Sequence, residues 1–200
     1  EAQKQNTNAE DGDILKVPVH SDKFGRIATQ NAKNVILQKI REEERKVLFD
    51  QYHGNEKEVV TGIVQRVVGH NVSVNLGKAD AILAENEQVK GETFKPTERI
   101  KVYILEVKDT PKGPRILVSR THPGLVKRLF ESEVAEVKDG TVEIKSIARE
   151  AGSRTKLAVW SNDPDVDPVG ACVGVNGARV SAIVNELRGE KIDIINWDEN

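Results

Sequence analysis

Two glycines, Gly174 and Gly177, stand between two stretches of helical pattern and constrain the C-terminal part of the chain more than any other feature. Asp167-Pro168 supplies a capping side chain and a proline for the first helical turn, so a short helix is expected to run into the first glycine. Beyond the second glycine, Val180, Ile183, Val184 and Leu187 recur at i, i+3, i+4 and i+7, the apolar stripe of a second helix. The pattern is helix, Gly174-Val175-Asn176-Gly177, helix. Glycine has no Cβ, so a ligand can approach its backbone closely. The start of the following helix offers free N–H groups to an anion such as phosphate. A lone G-x-x-G string is common, and its surroundings decide its meaning.

Those surroundings are regular. Pro123 opens a helix with Val126, Leu129 and Phe130 on one side. Strands are expected at Val142 to Ala148 and Lys156 to Trp160, then the short helix, the loop, the second helix and a last strand at Ile192 to Ile195. The order is α-β-β-α-α-β.

Upstream, from Glu58, the apolar period is two. A strand at Val59 to Val68 and a turn at Gly69-His70-Asn71 lead into Val72, Val74 and Leu76, which alternate with Asn71, Ser73 and Asn75. Further strands are expected at Ala79 to Ala84, Ile100 to Val107 and Arg115 to Ser119, with one long polar connection carrying Gly91 and Pro96. Five short strands with one long connection outline a small closed barrel of the OB type. Such barrels stack bases on aromatic side chains, and here only Tyr103 and Phe94 are available for that. Before the barrel, a helix is expected from about Asp22 to about Tyr52, capped by Ser21, with Ala28, Ala32, Val35, Ile36, Ile40 and Val47 on its apolar face. Residues 1–12 read as a polar disordered tail, and Ile14 to Val19 as an edge strand, because Pro18 cannot donate to a ladder. Little of the chain is left to cover that helix face, and no methionine occurs, so the chain reads as an excerpt whose missing N-terminal piece packs there.

Composition bounds the class. The chain has 200 residues, 38% hydrophobic and 31% charged, and no apolar run long enough to span a membrane. It shows no signal-peptide pattern, and its one cysteine, Cys172, cannot form an internal disulfide, so a cytoplasmic location is expected. Net charge is −2, with ten basic against eight acidic residues over 58–121 and ten against fourteen over 122–200. Any binding of nucleic acid must then rest on a local basic stripe and be modest and salt-sensitive.

The α-β-β-α-α-β order around a G-x-x-G loop resembles the bacterial-type (type II) KH domain, which grips a short stretch of single-stranded backbone. With a barrel of the ribosomal S1 type in front of it and a long helix before that, the chain resembles the NusA family of bacterial transcription factors. The resemblance rests on Phe24-Gly-Arg-Ile-Ala28, Ser119-Arg-Thr-His-Pro123, Asp139-Gly-Thr-Val-Glu-Ile-Lys145, Ala148-Arg-Glu-Ala-Gly152 and Gly189-Glu-Lys-Ile-Asp193. It implies an α+β multidomain chain: residues 1–57 end an N-terminal domain with a long helix, 58–121 form the five-stranded OB-type barrel, and 122–200 the first KH domain and the start of a missing second one. It also implies a non-catalytic, RNA-binding elongation factor that bridges RNA polymerase and nascent RNA and modulates pausing, termination and antitermination. The implied partners are single-stranded nascent RNA, RNA polymerase through the N-terminal region, and other Nus factors, for a monomer with no membrane association. Val175-Asn176 departs from the proline and polar or basic residue that similar proteins place inside the loop.

The residues expected to touch RNA follow. Gly174, Val175, Asn176 and Gly177 form the grip, and Arg179, two residues into the second helix, can reach a phosphate with two N–H groups. Arg149, Arg154 and Lys156 cluster at the hairpin between the first two KH strands and could extend a backbone track, the alternative being solvated charge. Arg120 and His122 sit at the barrel–KH junction, where RNA would pass between modules, the alternative being structural linkage. Asp163-Pro-Asp-Val-Asp167 is not a calcium loop, since Pro168 and Gly174 stand where a glycine and a bidentate glutamate are required. His20, His53, His70 and His122 lie on different elements with no metal spacing, and no nucleophile–base constellation is visible, so neither catalysis nor a cofactor is expected. Two rival readings are an exosome-cap subunit, which also sets an S1-type barrel before a KH domain, and an accessory piece of a ribonuclease.

Overall fold

The computed structural model describes residues 25–198. The expected tail, the Ile14 to Val19 strand and the Ser21 cap lie outside the described residues. Helix α1 spans Arg26–His53 and is 28 residues long. The chain divides into two compact units between Glu43 and Glu44, inside this helix. In the first unit Lys39 bonds Glu42 one turn on at 2.7 Å, and the expected apolar stripe of Val35, Ile36 and Ile40 is exposed among the described residues. No helix of the described residues is long and apolar enough to cross a membrane.

The second unit begins with the last turns of α1. Tyr52 is buried in the barrel core, with Leu48 and Phe49 packed beside it, and its hydroxyl donates to the Leu76 carbonyl at 3.1 Å. The barrel strands are β1 (Val59–Val68), β2 (Asn71–Asn75), β3 (Asp80–Leu83), β4 (Arg99–Lys108) and β5 (Arg115–Ser119). They close in the order β1-β2-β3-β5-β4, antiparallel except for the β3–β5 pair. Alternation puts Val72, Val74, Ala81, Leu83, Ile100, Val102, Ile104, Ile116 and Val118 inside. Gly62 lets β2 cross closely: a Cβ there would lie 2.3 Å from Val74 Cγ1. The far end of β1 leaves the barrel, so Val67 and Val68 are exposed despite the unbroken apolar run.

The rest of the unit packs four helices on one face of a three-stranded sheet. Helices α2 (Pro123–Glu133) and α3 (Ala135–Lys138) precede β6 (Val142–Glu150) and β7 (Arg154–Ser161); α4 (Pro168–Val173), a single 3-10 turn (Val175–Gly177), α5 (Ala178–Glu186) and β8 (Lys191–Asn196) follow. The sheet order is β6-β7-β8, with β7 antiparallel to β6 and parallel to β8. Leu125, Leu129 and Phe130 of α2, Cys172 of α4 and Ile183 of α5 pack on Val142, Leu157 and Val159 of the sheet. Helix α3 is an addition to the expected order; four residues carry too little periodicity to read.

Tyr103 belongs to this second core although it lies on β4. Its neighbours Val102 and Ile104 face the barrel interior, so Tyr103 points outward, where α2 covers it and the His122 ring stacks on it at 4.6 Å. The other candidate for base stacking, Phe94, lies under the Arg188 guanidinium at 5.2 Å. Both aromatics are used inside the protein.

Two arginines expected on the RNA path have buried side chains: Arg120 ties the barrel to the sheet domain, the structural alternative the sequence left open, and Arg149 is an ion-paired tie within the sheet domain, which corrects its reading as open or solvated charge. Arg120 is 1% exposed and pairs bidentately with Glu92 at 2.6 and 2.7 Å. It also donates to the carbonyls of Lys101 and Glu186. Burial works against its charge, but Glu92 and then Glu186 outweigh burial and push the guanidinium above its ordinary value. The Arg149 side chain is 1% exposed, with Nε and Nη2 each 2.9 Å from the Glu190 carboxylate and a third bond from Nη1 to the His122 carbonyl. Neither arginine is free to meet a phosphate. The β6–β7 hairpin itself docks on the barrel's long connection: Gly152, at φ +80°, would bring a Cβ to 2.4 Å from Val89 Cγ1.

Candidate nucleic-acid interface

The glycine loop is built from its flanks inward. Asp167 caps α4 as its sequence position implies, accepting from Val169 N at 3.2 Å and Gly170 N at 3.0 Å, with Pro168 in the first turn. Gly170 is tight against this cap, since a Cβ there would lie 2.6 Å from Asp167 Oδ2. At the far end Gly174 N returns to the Gly170 carbonyl at 2.9 Å and the backbone reverses, with Gly174 at φ +75°.

Three loop positions then take positive φ: Gly174, Asn176 at +52° and Gly177 at +73°. Asparagine tolerates that region better than most side chains, which fits it to the one non-glycine position that needs it. Gly177 N closes the turn on the Gly174 carbonyl at 3.1 Å. Gly177 is the residue before α5, and no side chain caps that helix. Val175 is 83% exposed and Asn176 is exposed, so the turn projects from the domain ahead of an uncapped helix start. Helix N-termini without a side-chain cap leave main-chain donors for an anion, and the macrodipole favours negative charge there.

Arg179 is brought to this loop, though not as a free cation. Its Nη1 donates to Glu136 of α3 at 2.9 Å and to the Ala171 carbonyl of α4 at 2.7 Å. Its stem lies against Gly174, where a Cβ would fall 2.7 Å from Arg179 Cγ. Behind the loop, burial pushes the Cys172 thiol up to about 11 and the Glu136 carboxylate adds to the shift, so the thiol is protonated at neutral pH.

The remaining expected contacts do not converge on the loop. Arg154 and Lys156 are exposed, but they alternate with the buried Thr155, Leu157 and Val159, so they lie on the sheet face that the helices leave open. Arg154 pairs there with Asp193 at 3.3 Å. His122 is the cap of α2, its Nδ1 accepting from Gly124 N at 3.0 Å, and its ring is held against Tyr103. It thus has a linking role at the junction, while the residue itself stays exposed. Sequence reasoning missed Glu92, Glu136, Glu186 and Glu190, the carboxylates that take up these arginines; their partners lie far along the chain, and no local pattern marks them.

Three domain families match in series. Residues 1–46 match the NusA N-terminal domain, 54–119 the S1 RNA binding domain and 120–197 the NusA-like first KH domain. The transcription termination/antitermination protein NusA of Bacillus subtilis (strain 168) is 57% identical over 189 residues, which cover 94% of this chain and 51% of that protein. The protein of the same name from Halalkalibacterium halodurans is 52% identical over 200 residues, all of this chain and 52% of the relative. That of Thermus thermophilus is 42% identical over 201 residues, again all of this chain and 52% of the relative. The chain thus spans about half the length of the relatives it matches.

Proposed function

The chain belongs to the NusA family, and on that premise we propose that it binds nascent single-stranded RNA through the Gly174–Gly177 turn while acting with RNA polymerase in the control of pausing, termination and antitermination. The observation that carries the RNA grip is the projecting turn with three positive-φ positions ahead of an uncapped helix. A phosphate seated there meets main-chain N–H groups without a Cβ in the way. KH domains use such a turn on a short run of single-stranded backbone.

The chain supplies no chemistry of its own in this reading; its work is to hold. The Arg120 cluster joins Glu92 and the Lys101 carbonyl of the barrel to Glu186 of the KH domain, so a strand held at the turn is held relative to the barrel. The N-terminal region is the polymerase-binding part, and two modest contacts on one transcript gain from effective concentration. The protein acts as a cytoplasmic monomer, and other Nus factors join it on the transcript. Replacing Val175 and Asn176 together by aspartate tests the grip, because two carboxylates would face the phosphates. Single-stranded RNA affinity should fall markedly while the fold is kept; an unchanged affinity across a salt titration contradicts the reading.

A further inference from the structure

We propose that Arg179 is a positioning residue that clamps the glycine turn from behind, with Glu136 as its anchor, leaving the turn to hold phosphate through main-chain donors alone. The proposal rests on the reading of the turn as an RNA grip and assigns the parts within it. One side chain here joins four elements. Its backbone lies in the first turn of α5, its stem runs along Gly174, and its guanidinium bonds the Ala171 carbonyl in α4 and the Glu136 carboxylate of α3. The stem is seated closely: a Cβ on Gly174 would also lie 3.0 Å from Arg179 Cδ and 3.1 Å from its Cβ. The clamp therefore depends on the absence of a side chain at Gly174.

The charge balance points the same way. Glu136 neutralises the guanidinium, and the two side chains are 35% and 32% exposed, so the pair is reachable by solvent and adds little to global stability. Both bonds leave from Nη1, so a phosphate met by the remaining N–H groups would share the guanidinium with a carboxylate that already offsets its charge. The two roles predict opposite signs for the same substitution. If Arg179 positions the turn, loosening its anchor weakens binding. If Arg179 is a phosphate ligand restrained by Glu136, removing the restraint tightens binding.

The experiment measures binding of an oligouridylate to the 200-residue chain, to Glu136→Gln and to Arg179→Gln, over a series of potassium chloride concentrations. Val175→Asp/Asn176→Asp serves as control. Each clamp variant should bind about threefold to tenfold more weakly, the size of losing one or two well-formed hydrogen bonds. The slope of log affinity against log salt should stay as in the parent, and the Gly174 and Gly177 amide resonances should shift in the free protein. Tighter binding by Glu136→Gln, or a slope lowered by about 0.7 in Arg179→Gln, makes Arg179 a phosphate ligand and overturns the proposal. Glu136→Gln is isosteric, so it decides the sign even if Arg179→Gln does not fold. An unchanged affinity in the aspartate control removes the turn itself from RNA binding, a failure distinct from that of the clamp and one that takes the clamp with it.

Discussion

Arg149 and Glu190 meet through two parallel N–H to oxygen contacts of 2.9 Å, each side chain 1% exposed. Glu190 also accepts from the Thr155 hydroxyl and the Gly152 N–H, so one carboxylate ties β7, the β6–β7 turn and the approach to β8. Removing one member strands the other as a buried charge. Arg149→Leu should cost about 3–5 kcal/mol, read by urea denaturation. The unfolding should stay a single transition in the parent, because the hairpin is shared between barrel and KH domain. A loss below about 1 kcal/mol would show that the pair holds the hairpin no better than an exposed ion pair would.

The same carboxylate sets an acid limit. Burial alone would raise the Glu190 carboxyl, but bonds from Arg149, Thr155 and the Gly152 N–H outweigh it and hold it below its ordinary value. A group whose folded value is lowered adds stability above its unfolded value, near about 4.3, and loses it as pH falls through the folded value. Stability should therefore be steady near neutral pH and decline on acidification through that window. Glu190→Gln should be less stable at neutral pH and show a flatter decline; two parallel profiles would exclude Glu190 as a source.

Gly152 should not tolerate alanine. The new Cβ would meet Val89 Cγ1 at 2.4 Å, at a backbone φ of +80°. Overpacking and strain together predict a loss of about 1–3 kcal/mol. Val89→Ala added to Gly152→Ala should recover part of it, since only the clash and not the strain is relieved. A double-mutant cycle in which the two losses simply add would mean that the hairpin does not press on the barrel.

Cys172 should be inert until the KH core opens. Its thiol is fully buried and pushed up to about 11, so a disulfide reagent at neutral pH meets neither access nor thiolate. Labelling should be slow in the native chain and rapid in urea, tracking unfolding. Fast labelling under native conditions would contradict the packing of α4 on the sheet.

Much of the fold is written locally. The alternation of Val72 and Val74 with Ser73, bounded by turn residues, gives β2; Asp167-Pro168 gives the start of α4; and the two glycines give the turn. What the sequence hides is pairing over distance. Arg120 and Glu92 are 28 residues apart and Arg149 and Glu190 are 41, so nothing nearby says that either arginine is buried. An arginine on a short hairpin looks like open charge until the hairpin docks. Tyr103 is hidden for a related reason, because alternation says it points out of the barrel but not that α2 covers it. The loop was therefore legible, while four of the expected RNA contacts have partners within the protein: Arg179 bonds Glu136 and the Ala171 carbonyl, His122 caps a helix, and Arg120 and Arg149 are internal ties.

The most direct test of the account follows the backbone amides of the chain while an oligouridylate is titrated in. The largest shifts should fall on Val175, Asn176 and the first turn of α5, with Arg154, Lys156 and the open face of the sheet little changed. Shifts that map instead to that open face or to the outside of the barrel, leaving the turn unmoved, would contradict the claim that the glycine turn is where RNA is held.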